Sequence, residues 1–525
     1  MYGYTFEEFD PKILNIDKKK IKKSVKILKT NVTEIEESKE RKPVYLGLPI
    51  HFTAAMPSPD RASPTNQVIA VVKRTATKTP ACSRKIRRAL RSFTRSFCEK
   101  ELTRLTASDV DYEQWLAGIN QTEERKRQID KAYKEYPYRS HENVPRGTEV
   151  KSFLKAEPYP SIKGPRGINS RSDWFKAHSG PIFDAISKQI FNLKWFIKKI
   201  PVTDRPELII QRLWDVVSKV LNADASSYEA HFEAEIMDCI EFELYRYMTE
   251  AVPEMRERME DIMRVLSGNN VMKFKNIHVG IKATRMSGEM NTSLGNGFTT
   301  LILNLFLSWI LRNEVDLMAE GDDNLSKWQI ASRTPTVKDW EDLGWVMKVE
   351  EPDSCCTASF CGNVFSPFDK IVVTDPVKAL IGFGWAGSKY INATRNLQLQ
   401  LLRSRGLSLA HQYNGCPLLG KFGRKIVELT EGVRIRQSVI NNMEMYKREQ
   451  FERYVKSPLP EYKEPPPDTR ELVEKLYNVL VEDQLSFEQD IENLTLDVKL
   501  SFEFVMPSLW TDNYEKYVCP KSEKW

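Results

Sequence analysis

A chain of 525 residues with 41% hydrophobic and 29% charged residues has the composition of a globular protein of about two to four domains, which excludes a disordered chain or a small binding module. The net charge of +6 is modest, so affinity for a polyanion has to come from where Lys and Arg are placed. Eight cysteines in this length read as reduced thiols of a cytosolic setting, not a disulfide framework. No apolar run is expected to reach bilayer-spanning length: the longest, Phe298 to Leu311, carries Asn304 and Ser308. Asp10, Lys12 and Asp17 likewise break any signal peptide.

In chain order, residues 1 to about 70 read as an irregular arm punctuated by Pro43, Pro49, Pro57, Pro59 and Pro64. Within it Lys18, Lys19, Lys20, Lys22, Lys23, Lys26 and Lys29 surround Ile21, Val25 and Leu28 at helical spacing. The pattern predicts a basic amphipathic helix, either lying on RNA or a membrane surface or simply solvated on one side. Ser83 then caps a second basic helix, with Ile86, Leu90, Phe93 and Phe97 as its apolar stripe. Arg84, Lys85, Arg87, Arg88, Arg91 and Arg95 fill much of the remainder, as a helix lining a nucleic-acid channel would have it. Tyr112 to Tyr133 reads as helical scaffold.

Val150, Phe153 and Leu154 predict a strand, followed by a turn through Glu157, Pro158 and Pro160. Lys151, Lys155, Lys163, Arg166 and Arg171 crowd this Pro- and Gly-bounded stretch, which fits either a triphosphate-binding loop or a solvated surface loop. Asp224 follows Val216, Val217, Val220 and Leu221, the end of a core strand, with helix predicted from about Ala230 to Thr249. A carboxylate there either points into a cleft or caps a helix. Ser287-Gly288 opens a helix through Leu311 in which Thr292 and Asn296, one turn apart, share a face. Gly295 and Gly297 weaken that helix unless something packs or binds closely against it.

Glu320-Gly321-Asp322-Asp323-Asn324 stands between two apolar runs and predicts a hairpin with paired carboxylates at its tip. Adjacent carboxylates repel, so such a pair points to a cation, and oxygen-only ligands suit Mg²⁺ or Mn²⁺. Lys348, in the apolar run Trp345 to Val349, is a candidate acid with a lowered pKa or a plain surface lysine. Ala358 to Phe365 predicts another hairpin. Cys355, Cys356 and Cys361 lack a second ligand pair at zinc-ribbon spacing and read as buried thiols, with structural zinc the lesser alternative. Helical patterns follow, including Asn396 to Arg403 and Gly423 to Glu452. After them come an extended Pro-rich linker at Pro458 to Pro467, a helix from Glu471 to Val481 and an aromatic tail to Trp525.

Asp224, the Ser-Gly-Thr-Asn series at 287, 288, 292 and 296, and Gly321-Asp322-Asp323 occur in the order of the motifs of viral RNA-dependent RNA polymerases. The stretch from about Lys151 to Phe365 resembles that family, and Met286 to Asn296 is similar to replicases of tombusvirus-like positive-strand RNA viruses. The chain departs from the usual pattern at Glu229, where Asp is common, and at Glu289 and Glu320, where those replicases usually carry Asp and Asn.

The resemblance implies an α+β right-hand fold with fingers, a palm of antiparallel sheet plus helices, and a mainly helical thumb. The expected divisions are a basic arm at 1–70, fingers at 71–215, palm at 216–370 with a fingers insertion near 246–283, thumb at 371–457, and linker and tail at 458–525. Asp224, Asp322 and Asp323 would hold two Mg²⁺, with Mn²⁺ a possible substitute. Lys155, Lys163, Arg166 and Arg171 would clamp the triphosphate, and Lys348 would protonate pyrophosphate. Glu229, Ser287, Gly288, Thr292 and Asn296 would contact the nucleotide. Arg84, Arg87, Arg88, Arg91, Phe360 and Cys361 would contact RNA. Implied partners are viral template and nascent RNA, ribonucleoside triphosphates, other viral replication proteins and, through them, host membranes. The implied setting is host cytoplasm, in membrane-associated replication complexes, with anchoring supplied by another protein or another portion of a precursor. The tail from Asp468, by its aromatic content after a linker, with Phe487, Phe502, Phe504, Trp510, Tyr514, Tyr517 and Trp525, reads as an initiation platform, a plug in the channel, or a segment packed outside the thumb. The alternatives are a reverse transcriptase, which shares the palm, and a catalytically silent RNA-binding scaffold.

Overall fold

The computed structural model describes residues 18–29, 44–45, 50–51, 61, 64–139, 147–155, 165–386, 390, 392–443, 445–496 and 500–501. Lys163, the turn through Glu157 to Pro160, most of the N-terminal arm and the tail beyond 501 lie outside them. The two larger sheets are built from Lys26–Lys29 (β1), Glu149–Leu154 (β2), Gly167–Arg171 (β3), Ser218–Ala225 (β4), Asn269–Lys273 (β5), Ile277–Lys282 (β6), Val315–Glu320 (β7), Asp323–Gln329 (β8) and Met347–Glu350 (β9). One sheet has the order β1-β6-β5-β2-β3 and the other β9-β4-β8-β7. All neighbours in them are antiparallel except β2 and β5. With the helices between and around them, the fold is α+β.

The principal helices are Pro64–Arg74 (α1), Arg84–Glu101 (α2), Asp173–Ile190 (α3), Ala234–Cys239 (α4), Glu241–Thr249 (α5), Pro253–Ser267 (α6), Thr292–Leu311 (α7), Arg395–Gln412 (α8), Leu419–Leu429 (α9), Met445–Lys456 (α10), Pro467–Tyr477 (α11) and Val481–Glu492 (α12). Strand β4 shows why the second sheet sits where it does. Leu221, Ala223 and Ala225 point into a core shared with α2, α3, α5, α6 and α7, while Asn222 and Asp224 alternate to the opposite side. By length and composition α7 is long and apolar enough to cross a membrane, a longer stretch than the run read from the sequence. Here 72% of its most apolar window is buried inside the protein, so it serves as the core helix.

Several predicted elements take another form. The lysine-rich stretch predicted as a helix is a 3₁₀ turn at Lys18–Lys20 followed by β1. Pairing decides it: Ile27 is buried and opposes Val279 on β6, and Lys22 is buried with its ammonium 2.7 Å from the Ala230 carbonyl and 3.0 Å from Glu233. The helix predicted from Ala230 is a 3₁₀ turn at Tyr228–His231 and then α4 and α5, broken at Ile240 with φ −118° and ψ −84°. The pattern Gly423 to Glu452 is likewise divided among α9, Gln437–Asn441 and α10.

A separate C-terminal core joins Val364 and Val373 to α8, α9, α11 and α12 through Leu401, Leu402, Phe422, Val473 and Phe487. The Pro-rich linker is held against it, because Asn414 donates to the Glu461 carbonyl at 2.7 Å and accepts from Lys463 N–H at 3.0 Å. Helices α8 and α9 touch backbone to backbone through Gly406 and Gly423: a Cβ at Gly423 would stand 2.6 Å from Leu409 Cβ and 2.8 Å from Ala410 N. Gly423→Ala is therefore expected to destabilise the protein by about 1–3 kcal/mol through overpacking, read as a lowered urea midpoint. Helix α10 reaches across the molecule. Arg448 bonds Asn120 of the N-terminal part, His411 of α8 stacks on Tyr454 at 4.7 Å, and Glu449 acts electrostatically on Lys198 beside the second sheet.

Candidate active site

The predicted hairpin is present, β7 and β8 being joined through Gly321 and Asp322. Gly321 has φ +66°, the left-handed conformation that a side chain would resist in so tight a turn. Strand β8 pairs with β4 in the register Leu325 to Asn222, and two residues further on the same register sets Asp323 against Asp224. The strands are tied there by Asn324, whose amide donates to the Ala223 carbonyl at 2.7 Å. The turn is braced from α7: Thr300 Oγ1 donates to the Gly321 carbonyl at 3.0 Å. Behind Thr300 stands the hydroxyl of buried Tyr228, 2.7 Å from Thr300 Oγ1 and 2.9 Å from the Asn296 carbonyl.

Asp224, Asp322 and Asp323 all reach solvent, but Asp322 and Asp323 are closely surrounded by protein atoms. Burial by neighbouring atoms raises the Asp322 pKa, with the charges of Glu229 and Asp224 adding to the rise and Arg166 opposing it. Asp323 is pushed up to about 6, chiefly by the same crowding and then by Asp322 and Asp224, while a hydrogen bond from the Cys361 thiol works against the rise. Among the described residues no three His, Cys, Asp or Glu side chains are grouped closely enough to hold a metal ion as they stand. The donor chemistry fits Mg²⁺ all the same: oxygen donors only, with mutual repulsion that a divalent cation would relieve.

Glu229 and Arg166, whose charges act on Asp322, line a small pocket together with Arg74, Asn169 and Ser287. Ser287 Oγ donates to Glu229 Oε1 at 2.8 Å, so two of the predicted nucleotide-contacting residues meet across it. Gly288, at φ +121°, runs close to β3: a Cβ there would lie 3.1 Å from the Asn169 carbonyl. The close approach read from Ser287-Gly288 is thus to the protein's own backbone.

Residues 216–362 match the family described as viral RNA dependent RNA polymerase. That segment is similar to the viral RNA-dependent RNA polymerases. The chain is 27% identical over 237 residues to the RNA-directed RNA polymerase of Oat chlorotic stunt virus (isolate United Kingdom), a match covering 40% of this chain and 30% of that protein. It is 25% identical over 254 residues to the enzyme of the same name from Tobacco necrosis virus (strain A), covering 44% of this chain and 34% of the relative. With that of Carnation mottle virus it shares 23% over 316 residues, 55% of this chain and 40% of the relative. The chain thus spans well under half the length of these relatives.

Within the matched segment and around it, several predicted site residues are placed otherwise. Arg171 is 2% exposed and committed to the interior, donating to Glu289 Oε1 at 2.6 Å, to the Gly147 carbonyl at 2.7 Å and to Asn270 Oδ1 at 2.8 Å, so it is not available to a triphosphate. Glu289 also faces Arg285 at 3.4 Å, and Arg285 pairs with Glu241 at 2.5 Å. A Cβ on Gly295 would strike both partners of that last pair, which is why this helix tolerates glycine. Asn296 Oδ1 accepts from Arg285 at 3.1 Å, and Thr292 Oγ1 bonds within its own turn to Gly288 N–H and the Met286 carbonyl, at 3.3 and 3.4 Å. Lys348 does not sit in an apolar setting. It is exposed, pairs with Glu350 and stands opposite Asp224 in the ladder, and its pKa is raised by Glu350, so it is charged at neutral pH.

The arginine helix stands apart from the carboxylates. Phe93 and Phe97 of α2 pack on Phe306 and Phe298 of α7, in the core under the sheet, whereas Asp224 projects from the opposite side. Arg84, Arg87, Arg88 and Arg91 therefore lie away from the carboxylates, and Arg91 is paired with Asp238. Phe360 is buried beneath its turn, and the tip presents Cys361 and Gly362. Cys355 and Cys356 are buried free thiols. Sequence reasoning passed over Asn169 and Arg74 in the pocket. It also missed Lys198, which donates to Ser293 Oγ at 2.6 Å beside Glu320. Their signal is positional and had no local pattern.

His231 clamps the loop after Asp224. Its Nδ1–H donates to the Ser227 carbonyl at 3.2 Å, its Nε2 accepts from Val346 N–H at 3.0 Å, and its ring stacks on Trp345. Burial pushes the imidazole of His231, and that of buried His178, down to about 4. A depressed histidine contributes stability that is complete above its unfolded value near 6.5 and lost as pH falls towards 4. We expect unfolding free energy to drop over that window by at most about 3 kcal/mol per imidazole. Urea titrations from pH 7 to 4 would show it, and His231→Gln should remove its share.

Proposed function

We propose that this chain synthesises RNA from ribonucleoside triphosphates under direction of an RNA template, for replication and transcription of a positive-strand RNA virus genome. The observation that carries this reading is the adjacency of the Asp224, Asp322 and Asp323 cluster to a pocket holding Arg166 and the Glu229–Ser287 pair. The first sheet with the helices around it would act as fingers, the second as palm, and the C-terminal helical core as thumb. Asp224, Asp322 and Asp323 would hold two Mg²⁺ ions, or Mn²⁺, which when bound acidify the attacking 3′-hydroxyl and neutralise charge on the departing pyrophosphate.

The protein's own groups supply the rest. Arg166, whose charge already acts on Asp322, would clamp the triphosphate with Lys155 and Lys163. Glu229, held by Ser287, would take a sugar hydroxyl, with its longer arm replacing the usual Asp. Lys348 would be the proton donor by position opposite Asp224, not by a lowered pKa. Tyr228 is buried and tied to α7, which argues against an aromatic gate of the reverse-transcriptase kind. Template and nascent RNA, other viral replication proteins and, through them, host membranes in the cytoplasm are the partners this reading requires. The test is incorporation of labelled ribonucleotides and deoxyribonucleotides on one single-stranded RNA, with Mg²⁺ and with Mn²⁺. Ribonucleotide incorporation is expected. Preference for deoxyribonucleotides, or RNA binding with neither incorporated, would overturn the proposal in favour of a reverse transcriptase or a silent scaffold.

A further inference from the structure

Asn169 lies on β3 and lines the pocket that Glu229, Ser287 and Arg166 share. It is 2% exposed, and its side-chain oxygen has no hydrogen-bond partner among the described residues. Ser152, its partner across the β2–β3 pair, is also buried with an unpartnered hydroxyl. Of the buried polar atoms so left among the described residues, only that of Asn169 belongs to a residue lining this pocket.

The backbone that carries the amide is held in place. Asn169 N–H donates to the Ser287 carbonyl at 2.7 Å, and Ser287 Oγ in turn bonds Glu229, so three segments distant in the chain are tied together at the pocket. A buried amide without a partner is costly, and a site that completes it only when occupied turns that cost into discrimination between ligands with and without the matching group. Arg74, from α1 and outside the matched 216–362 segment, adds a second cation to Arg166 in the pocket, as a phosphate-bearing ligand requires.

Resting on the polymerase reading, we propose that Asn169 is a sugar-discriminating residue whose amide bonds a hydroxyl of the incoming ribonucleotide, opposite the Glu229–Ser287 pair. Asn169 stands on a strand, so its position does not depend on a loop.

The experiment compares the full chain with Asn169→Leu, similar in size but unable to hydrogen-bond, and Asn169→Ser, which keeps a small polar group. Steady-state incorporation of GTP, 2′-deoxy-GTP and 3′-deoxy-GTP is measured on a primed RNA template. For Asn169→Leu, kcat/KM for GTP should fall about 10- to 100-fold while that of one deoxy analogue stays the same, so that discrimination against that analogue collapses by the same factor. Asn169→Ser should fall between, and it carries the test alone if the Leu variant does not fold. Equal losses with all three nucleotides, or an unchanged ratio, would mean that Asn169 only supports the pocket and would overturn the inference. Absence of all incorporation by the unaltered chain would instead overturn the polymerase reading, and this inference with it.

Discussion

Replacing Asp322 with Asn is expected to lower nucleotide incorporation by at least about 10³-fold, equivalent to roughly 4 kcal/mol of transition-state stabilisation, while leaving RNA binding within a factor of about two. The substitution keeps the shape of the turn, because Gly321 and the Thr300 contact to its carbonyl set the backbone. It removes one of the neighbouring negative charges and so weakens the hold on a divalent cation. Because the Asp322 charge helps to raise the Asp323 pKa, its loss should also bring the Asp323 carboxyl down from about 6, and the variant should be no less stable than the parent in metal-free buffer. A fall in both incorporation and RNA affinity would point instead to a structural role for the turn.

The second large effect concerns stability. Arg285 and Glu241 are fully buried and paired at 2.5 Å, with the guanidinium 4.2 Å over the Phe232 ring. Arg285→Met leaves Glu241 buried without its cation and is expected to cost about 3–5 kcal/mol of unfolding free energy. Replacing both, as Arg285→Met with Glu241→Leu, should cost less than the single change, since no uncompensated charge remains. Urea denaturation of the three proteins checks this. A single-variant cost below about 1 kcal/mol would mean the pair is incidental. The network reaches Asn296 and, through Glu289, Arg171, so the single variant should also disturb the Ser287-Gly288 loop and raise KM for nucleotides.

What was legible in the sequence was local. Gly321 between two apolar runs announces a turn, and the apolar residues before Asp224 announce a strand that ends there; neither needs distant partners. What was not legible depends on residues far away in the chain. Arg171 reads as one more cation on a phosphate loop, and only Glu289, 118 residues on, turns it inward. Lysines at helical spacing became β1 because Ile277–Lys282 offers an open edge. Where the arginines of α2 stand relative to the carboxylates is decided by its phenylalanines, which lie under the sheet against α7. Asn169 carries no sequence signal at all, since its interest lies in having no partner where the pocket forms.

The most direct test of the central claim is template-directed incorporation by the purified chain on homopolymer RNA, with Mg²⁺ and a short complementary primer, beside the Asp322→Asn variant. The account predicts that poly(C) directs GTP and poly(U) directs ATP, each product being complementary to its template and absent with the variant. Incorporation that ignores the template, or that survives in the Asp322→Asn variant, would contradict it.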